Sequence, residues 1–276
     1  MPTTLINFVH ANGFPAGSYN TLFQLLPKSY QVISLEKYGH NEQYPVEKNW
    51  QPLVDELIEF VQEQLESHHE NKVFAIGHSF GGVISFIAAC QRPELFEGLI
   101  MLDPPVFTGT SALALKMIKK TRFIDKFSPA GKAQTRRTIW PLNTDIAKLL
   151  SRRPLFKNFD KRCLDDYVNY GTVEKNGQLE LVFSTQVEAD IFRHLPENLS
   201  KYKNMLTVPA TLIYAEATDV CPHSFFTKFA KLNKKIQITT SPGGHLFPFE
   251  YPENTVNIIT ETINKLKKIN NKPEAI

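Results

Sequence analysis

Short apolar runs rich in β-branched residues recur at residues 5–10, 31–35, 72–77, 98–102, 210–214 and 235–239, each bounded by turn-forming residues. Runs of this length without polar alternation predict strands buried on both faces, as in a parallel sheet. Helical period appears between them. Trp50, Leu53, Leu57, Phe60, Val61 and Leu65 form one apolar stripe, and Val256, Ile259, Ile263 and Leu266 form another. This alternation predicts an α/β fold of about six mostly parallel strands with helices on both faces. It breaks between about Val106 and Asn204, where irregular helical patches surround Met117, Ile124 and Leu149. A hairpin is predicted there from Gly171 to Phe183, turning at Asn176-Gly177. The expected organisation is a core of residues 1–105 and 205–276 with a mainly helical insertion, 106–204, forming a cap.

Composition narrows the partners. The 276 residues are 42% hydrophobic, ample for a sizeable core. The net charge is +3, with no dense Lys/Arg block interleaved with aromatics, so nucleic acid is not an expected partner. Residues 106–204 hold 18 Lys/Arg against 10 Asp/Glu, which leaves 13 against 18 for the rest. A solvated basic face is the plainer reading of that surplus, and a preference for anionic substrates is the alternative. Cys90, Cys163 and Cys221 are few and far apart, as expected of reduced thiols in the cytoplasm. No metal-ligand spacing and no cofactor motif is evident. The first residues lack a signal-peptide pattern, and the longest apolar run, Val83 to Cys90, is far shorter than the ~20 residues of a membrane span. A cytoplasmic protein without a membrane or cofactor is expected, its oligomeric state unspecified.

The candidate chemistry lies in Gly77-His78-Ser79-Phe80-Gly81-Gly82, between the apolar run 72–77 and a helix-like segment from Val83. A strand-to-helix turn this tight would bring side chains at 77 and 81 against neighbouring backbone, and glycine removes them. Ser79 is then displayed at the carboxyl edge of the sheet, above a helix N-terminus. Its hydroxyl needs a base, and the base needs an orienting acid. His245 lies in the glycine-rich loop after the last strand, and Asp219 lies in the loop after the strand 210–214. Asp103, after the strand 98–102, competes for the acid role, with Asp219 favoured. An oxyanion formed at Ser79 needs backbone N–H donors. Phe80 supplies one, and the loop His10-Ala11-Asn12-Gly13-Phe14-Pro15 supplies the other, Asn12 by position with Phe14 as rival. His78 should point away from the nucleophile, His10 reads as structural, and His40, His68, His69, His194 and His223 read as surface or loop residues.

In these motifs the chain resembles the capped α/β-hydrolase superfamily, its serine esterase and lipase-like branch, over about 175 residues on both sides of the insertion. The Gly-x-Ser-x-Gly turn is the most specific feature, and "GGHLFPFEYPE" resembles the loop carrying that family's histidine. The order Ser, Asp, His is also the family's. Two departures stand out: the first recognisable strand begins near Thr3, so the family's two leading antiparallel strands are not expected, and "HANGFP" is longer than the usual "HGFP". The resemblance implies a serine hydrolase that cleaves small-molecule carboxylic esters of small or medium acyl chains through an acyl-enzyme. Cleavage of a C–C bond, a thioester or a lactone on the same residues is the enzymatic alternative. A small-ligand receptor with a vestigial triad is the non-enzymatic one. Phe14, Phe107, Trp140 and Phe247 are candidates for an apolar substrate pocket, with ordinary core packing as the plain alternative. No exposed apolar lid helix is evident, which counts against emulsified long-chain fat.

Overall fold

A computed structural model describes residues 3–121 and 123–271. The apolar runs form β1 (Thr4–Val9), β2 (Tyr30–Ile33), β3 (Val73–His78) and β4 (Phe96–Leu102), and later in the chain β8 (Ala210–Ala215) and β9 (Ile236–Ser241). These six pair in the order β2-β1-β3-β4-β8-β9, and every pairing is parallel. The strands β5 (Ile139–Pro141), β6 (Thr172–Lys175) and β7 (Gln178–Leu181) form a separate antiparallel sheet, ordered β5-β7-β6. The predicted hairpin is β6 and β7, and its turn residues Asn176 and Gly177 both have positive φ, as a type I′ turn requires. The strand β5 was not predicted: three residues are too few for an alternating pattern, so 106–204 is helical with a small sheet.

Both faces of the large sheet are covered, which explains the unbroken apolar runs. Along β3 and β4, Val73, Ala75, Leu99 and Met101 join one buried cluster with Leu53, Leu57 and Val61 of helix Gln51–His68 and with Phe86 and Ile87 of helix Phe80–Gln91. Phe74, Ile76, Ile100 and Leu102 point the other way, into a second cluster with Ile259, Ile263 and Leu266 of helix Pro252–Asn270. Trp50 precedes its helix rather than opening it: its φ is 62° and its indole N–H donates to the Ile191 carbonyl at 2.9 Å.

Register sets the stage for the site. Val9 pairs with Gly77, His78 with Leu102, Leu102 with Ile213, and Ala215 with Ser241. The strands therefore end along one rim, and the residues just beyond them meet there. The strand order reverses between β1 and β3, and the crevice at such a reversal is where open parallel sheets place ligands. Ser79 follows β3 directly.

Candidate active site

Ser79 has φ 55° and ψ −119°, a backbone conformation that non-glycine residues rarely adopt. Such strain costs about 1–3 kcal/mol and persists only where the surroundings over-determine it. Here the hydrogen bond from Ser79 N–H to Leu102 O at 2.8 Å and the following helix hold the turn. The glycines answer to close approach. A Cβ on Gly77 would lie 2.3 Å from the Gly81 carbonyl, and one on Gly81 would lie 2.2 Å from the Val9 carbonyl oxygen. Alanine at 81 would drive the turn off β1, and alanine at 77 would drive the helix start off β3.

Ser79 Oγ lies 3.0 Å from His245 Nε2, and His245 Nδ1 lies 2.7 Å from Asp103 Oδ2. A proton on Nδ1 donates to the carboxylate, which leaves Nε2 free to accept from the serine hydroxyl. The carboxylate at the imidazole is thus that of Asp103, at the end of β4, and this corrects the expectation that Asp219 takes this place. Asp219 is exposed. Asp103 is fully buried, with φ 45°, in the left-handed region that Asp tolerates better than most residues. Its Oδ1 accepts from Ala215 N–H at 3.0 Å, and its Oδ2 accepts from Thr218 Oγ at 2.6 Å as well as from His245. The end of β8 contributes one donor to it, Ala215 N–H, and the loop after β8, where the acid was expected, contributes another, Thr218 Oγ.

The loop carrying His245 is tied down from two sides. Glu250 Oε2 accepts from Gly244 N–H at 2.9 Å, and His78 Nε2 lies 2.9 Å from the His245 carbonyl oxygen. Burial and the neighbouring His245 push the pKa of His78 down to about 3, so its ring is neutral. Its ring nitrogens face Tyr19 Oη and the His245 carbonyl oxygen. His10 is also buried: its Nε2 accepts from Tyr38 N–H at 3.0 Å, its Nδ1 donates to Ala11 O at 2.8 Å, and burial pushes its pKa down to about 4.

In the loop after β1, Phe14 N–H donates to Ala11 O at 3.1 Å and Ala11 N–H donates to Tyr19 Oη at 3.0 Å. Phe14 N–H is therefore engaged, which separates it from Asn12 as a candidate oxyanion donor. Asn12 anchors the loop with its side chain, Nδ2 donating to Glu188 O at 2.9 Å. The Glu188 carboxylate lies so close to Gly13 that a Cβ there would meet Oε1 at 2.8 Å. Burial raises the Glu188 pKa, and the Arg136 guanidinium opposes this from 2.6 Å. The basic surplus of 106–204 lies instead on exposed side chains such as Lys116, Lys120, Lys132, Arg152 and Arg153.

Of the four aromatic pocket candidates, Phe14 and Phe247 share one buried cluster and Phe107 packs against the other. Phe14 packs in an aromatic cluster with Phe156, Phe159, Tyr167 and Phe249. Phe247 is completely buried behind His78, Trp140 is buried in β5, and Phe107 packs edge-on to Phe225. An exposed apolar helix, not evident in the sequence, is present: Leu113 and Met117 on helix Thr110–Lys119 are 60% and 57% exposed. Among the described residues, no helix is long and apolar enough to cross a membrane.

The model of the alpha/beta hydrolase family matches residues 8–258. Monoglyceride lipase of Rattus norvegicus is 33% identical over 122 residues, which span 42% of this chain and 40% of that protein. That match thus extends over about two fifths of the relative's length. Human monoglyceride lipase is 23% identical over 270 residues, 94% of this chain and 81% of that one. Among solved structures, the peroxisomal alpha-beta-hydrolase Lpx1 of Saccharomyces cerevisiae aligns over 99% of this chain and 79% of its own, with a TM-score of 0.77 and 16% identity. The agreement extends across the six-stranded sheet and its surrounding helices.

Proposed function

The chain belongs to the alpha/beta hydrolase family, and we propose that it is a serine hydrolase acting on carboxylic esters of small or medium acyl chains. The observation that carries this reading is the continuous path Ser79 Oγ, His245 Nε2, His245 Nδ1, Asp103 Oδ2, with steps of 3.0 and 2.7 Å between residues. His245 takes the hydroxyl proton as Ser79 attacks the ester carbonyl. Asp103 holds the ring in the required tautomer and stabilises the imidazolium without itself taking the proton. The backbone N–H groups of Phe80 and Asn12 receive the oxyanion, each contributing about 3–4 kcal/mol to the transition state. His245 then gives its proton to the departing alcohol, and water releases the acid from Ser79 by the same steps.

Residues 106–204 act as the cap. This reading is supported by the Asn12–Glu188 hydrogen bond and by the packing of Phe156 and Tyr167 on Phe14, which lay the insertion against the oxyanion loop. Arg136, the basic side chain over that loop, is already neutralised by Glu188, which favours uncharged acyl groups over anionic ones. The relatives named monoglyceride lipase favour an ester of a small alcohol over a C–C bond or a thioester. The exposed Leu113 and Met117 bring longer chains into the range worth testing.

The test is a fluorophosphonate probe with a panel of nitrophenyl esters from acetate to palmitate, monoacylglycerols, a thioester and a β-diketone. Wild type should label covalently and prefer the shorter esters, and Ser79→Ala should neither label nor turn over. A folded wild type that fails to label, or a Ser79→Ala variant that keeps full turnover, would overturn the assignment.

A further inference from the structure

Outside the residues that handle the proton lies a buried polar path which the proposed reaction does not use. It begins at Ala11, whose N–H donates to Tyr19 Oη at 3.0 Å. Tyr19 Oη lies 2.7 Å from His78 Nδ1, and His78 Nε2 lies 2.9 Å from the main-chain oxygen of His245. Proton placement along the path is forced. A carbonyl oxygen can only accept, so His78 Nε2 carries the hydrogen. In the neutral ring Nδ1 is then an acceptor, so the Tyr19 hydroxyl donates to it while accepting from Ala11 N–H. Each step has one donor and one acceptor. Tyr19 is 1% exposed and His78 is fully buried, so water does not compete for these bonds. Burial, followed by the neighbouring His245, pushes the His78 pKa down to about 3, which keeps the ring in this single-proton form.

The two ends of the path matter. Ala11 precedes Asn12, the proposed oxyanion donor, and His245 is the proposed base. We propose that His78 and Tyr19 are positioning residues, which link the loop after β1 to the backbone of His245 and so fix the base relative to the oxyanion donors. The link passes through His78, the last residue of β3 and the neighbour of Ser79, and ties two loops distant along the chain into one rim. Loss of the link lets the His245 loop drift. A misplacement of about 1 Å at reacting groups costs on the order of 100-fold in rate.

This inference rests on the proposed roles of His245 and Asp103, so its test includes a reading independent of turnover. The hydrogen-bonded Nδ1 proton between His245 and Asp103 should give a far-downfield proton resonance, assigned by its disappearance in Asp103→Asn. His78→Leu removes both bonds of the ring, His78→Gln keeps a donor for the His245 carbonyl, and Tyr19→Phe removes only the hydroxyl. In His78→Leu the resonance should broaden by solvent exchange and kcat should fall about 100-fold with KM nearly unchanged. Tyr19→Phe should lose about tenfold, and His78→Gln should recover most of both signals. Where His78→Leu does not fold, the comparison of Tyr19→Phe with His78→Gln carries the test. A sharp resonance and wild-type fluorophosphonate labelling in the folded His78→Leu or Tyr19→Phe variant would overturn the positioning role. A wild type that neither labels nor turns over esters would overturn the hydrolase reading, and the resonance would still report on the link.

Discussion

Two loops at the carboxyl rim, after β4 and after β8, each offer an aspartate, and the structure treats them oppositely. Asp103 is fully buried and accepts hydrogen bonds from Ala215 N–H, Thr218 Oγ and His245 Nδ1. Asp219 is exposed. A third carboxylate extends the contrast. Glu56, on helix Gln51–His68, is buried with a single long bond from Gly39 N–H at 3.4 Å, and burial pushes its pKa up to about 7. Burial alone therefore does not make a useful anion. Burial with few donors pushes the Glu56 carboxyl towards the neutral acid, whereas three donors converge on Asp103.

The contrast is broken most directly by exchanging the two aspartates. Asp103→Asn should lower kcat by about 10⁴, because Nδ1–H loses its anionic acceptor and the imidazolium its counter-charge. Asp219→Asn should change steady-state ester hydrolysis by less than twofold. The reverse result would return the acid role to the loop after β8. A smaller effect sharpens the account of the donors. Thr218→Val keeps the shape of the side chain but removes the hydroxyl at 2.6 Å, and should cost about tenfold in kcat, a loss of about 1.5 kcal/mol for a hydrogen bond to a charged group. Ser at 218 should restore the rate. The smallest effect is one of stability. The folded pKa of Glu56 is raised from 4.5 to about 7, so its contribution is full below pH 4.5 and is lost as pH rises through about 7. Glu56→Gln should flatten that dependence. With an allowance for partial solvent contact it should gain about 1 kcal/mol at pH 8, or about 2 °C in Tm, in thermal melts between pH 5 and 8.

The strands were legible because a sheet covered on both faces admits few polar residues, and each of the six apolar runs became a strand within two residues of its expected ends. The nucleophile turn was legible for a similar reason. Gly77 and Gly81 stand where a Cβ would strike backbone atoms, an intolerance that leaves its mark in the chain itself. His245, in its glycine-rich loop, followed from the same local logic. The choice between Asp103 and Asp219 did not. Both end parallel strands on the same rim, and side-chain direction there depends on which loop folds inward over its neighbour. Thr218, Tyr19 and Glu250 were missed because an isolated hydroxyl or carboxylate carries no periodicity. Aromatic type alone does not mark a substrate pocket, since the core and a substrate chamber draw on the same residues and Phe247 is fully buried.

The chain by itself determined the layering, the parallel sheet and the serine on its strained turn, since these follow from local sterics and from periodic burial. Only the tertiary structure decided which carboxylate meets the imidazole, which backbone N–H in the loop after β1 is already engaged, and how His78 and Tyr19 tie two loops together. The first and last of these outcomes depend on contacts between residues 59 to 167 positions apart, namely Tyr19 with His78, Asp103 with His245 and His78 with His245. Such contacts are set by the register of neighbouring strands and the path of each loop, quantities that no short stretch of sequence encodes.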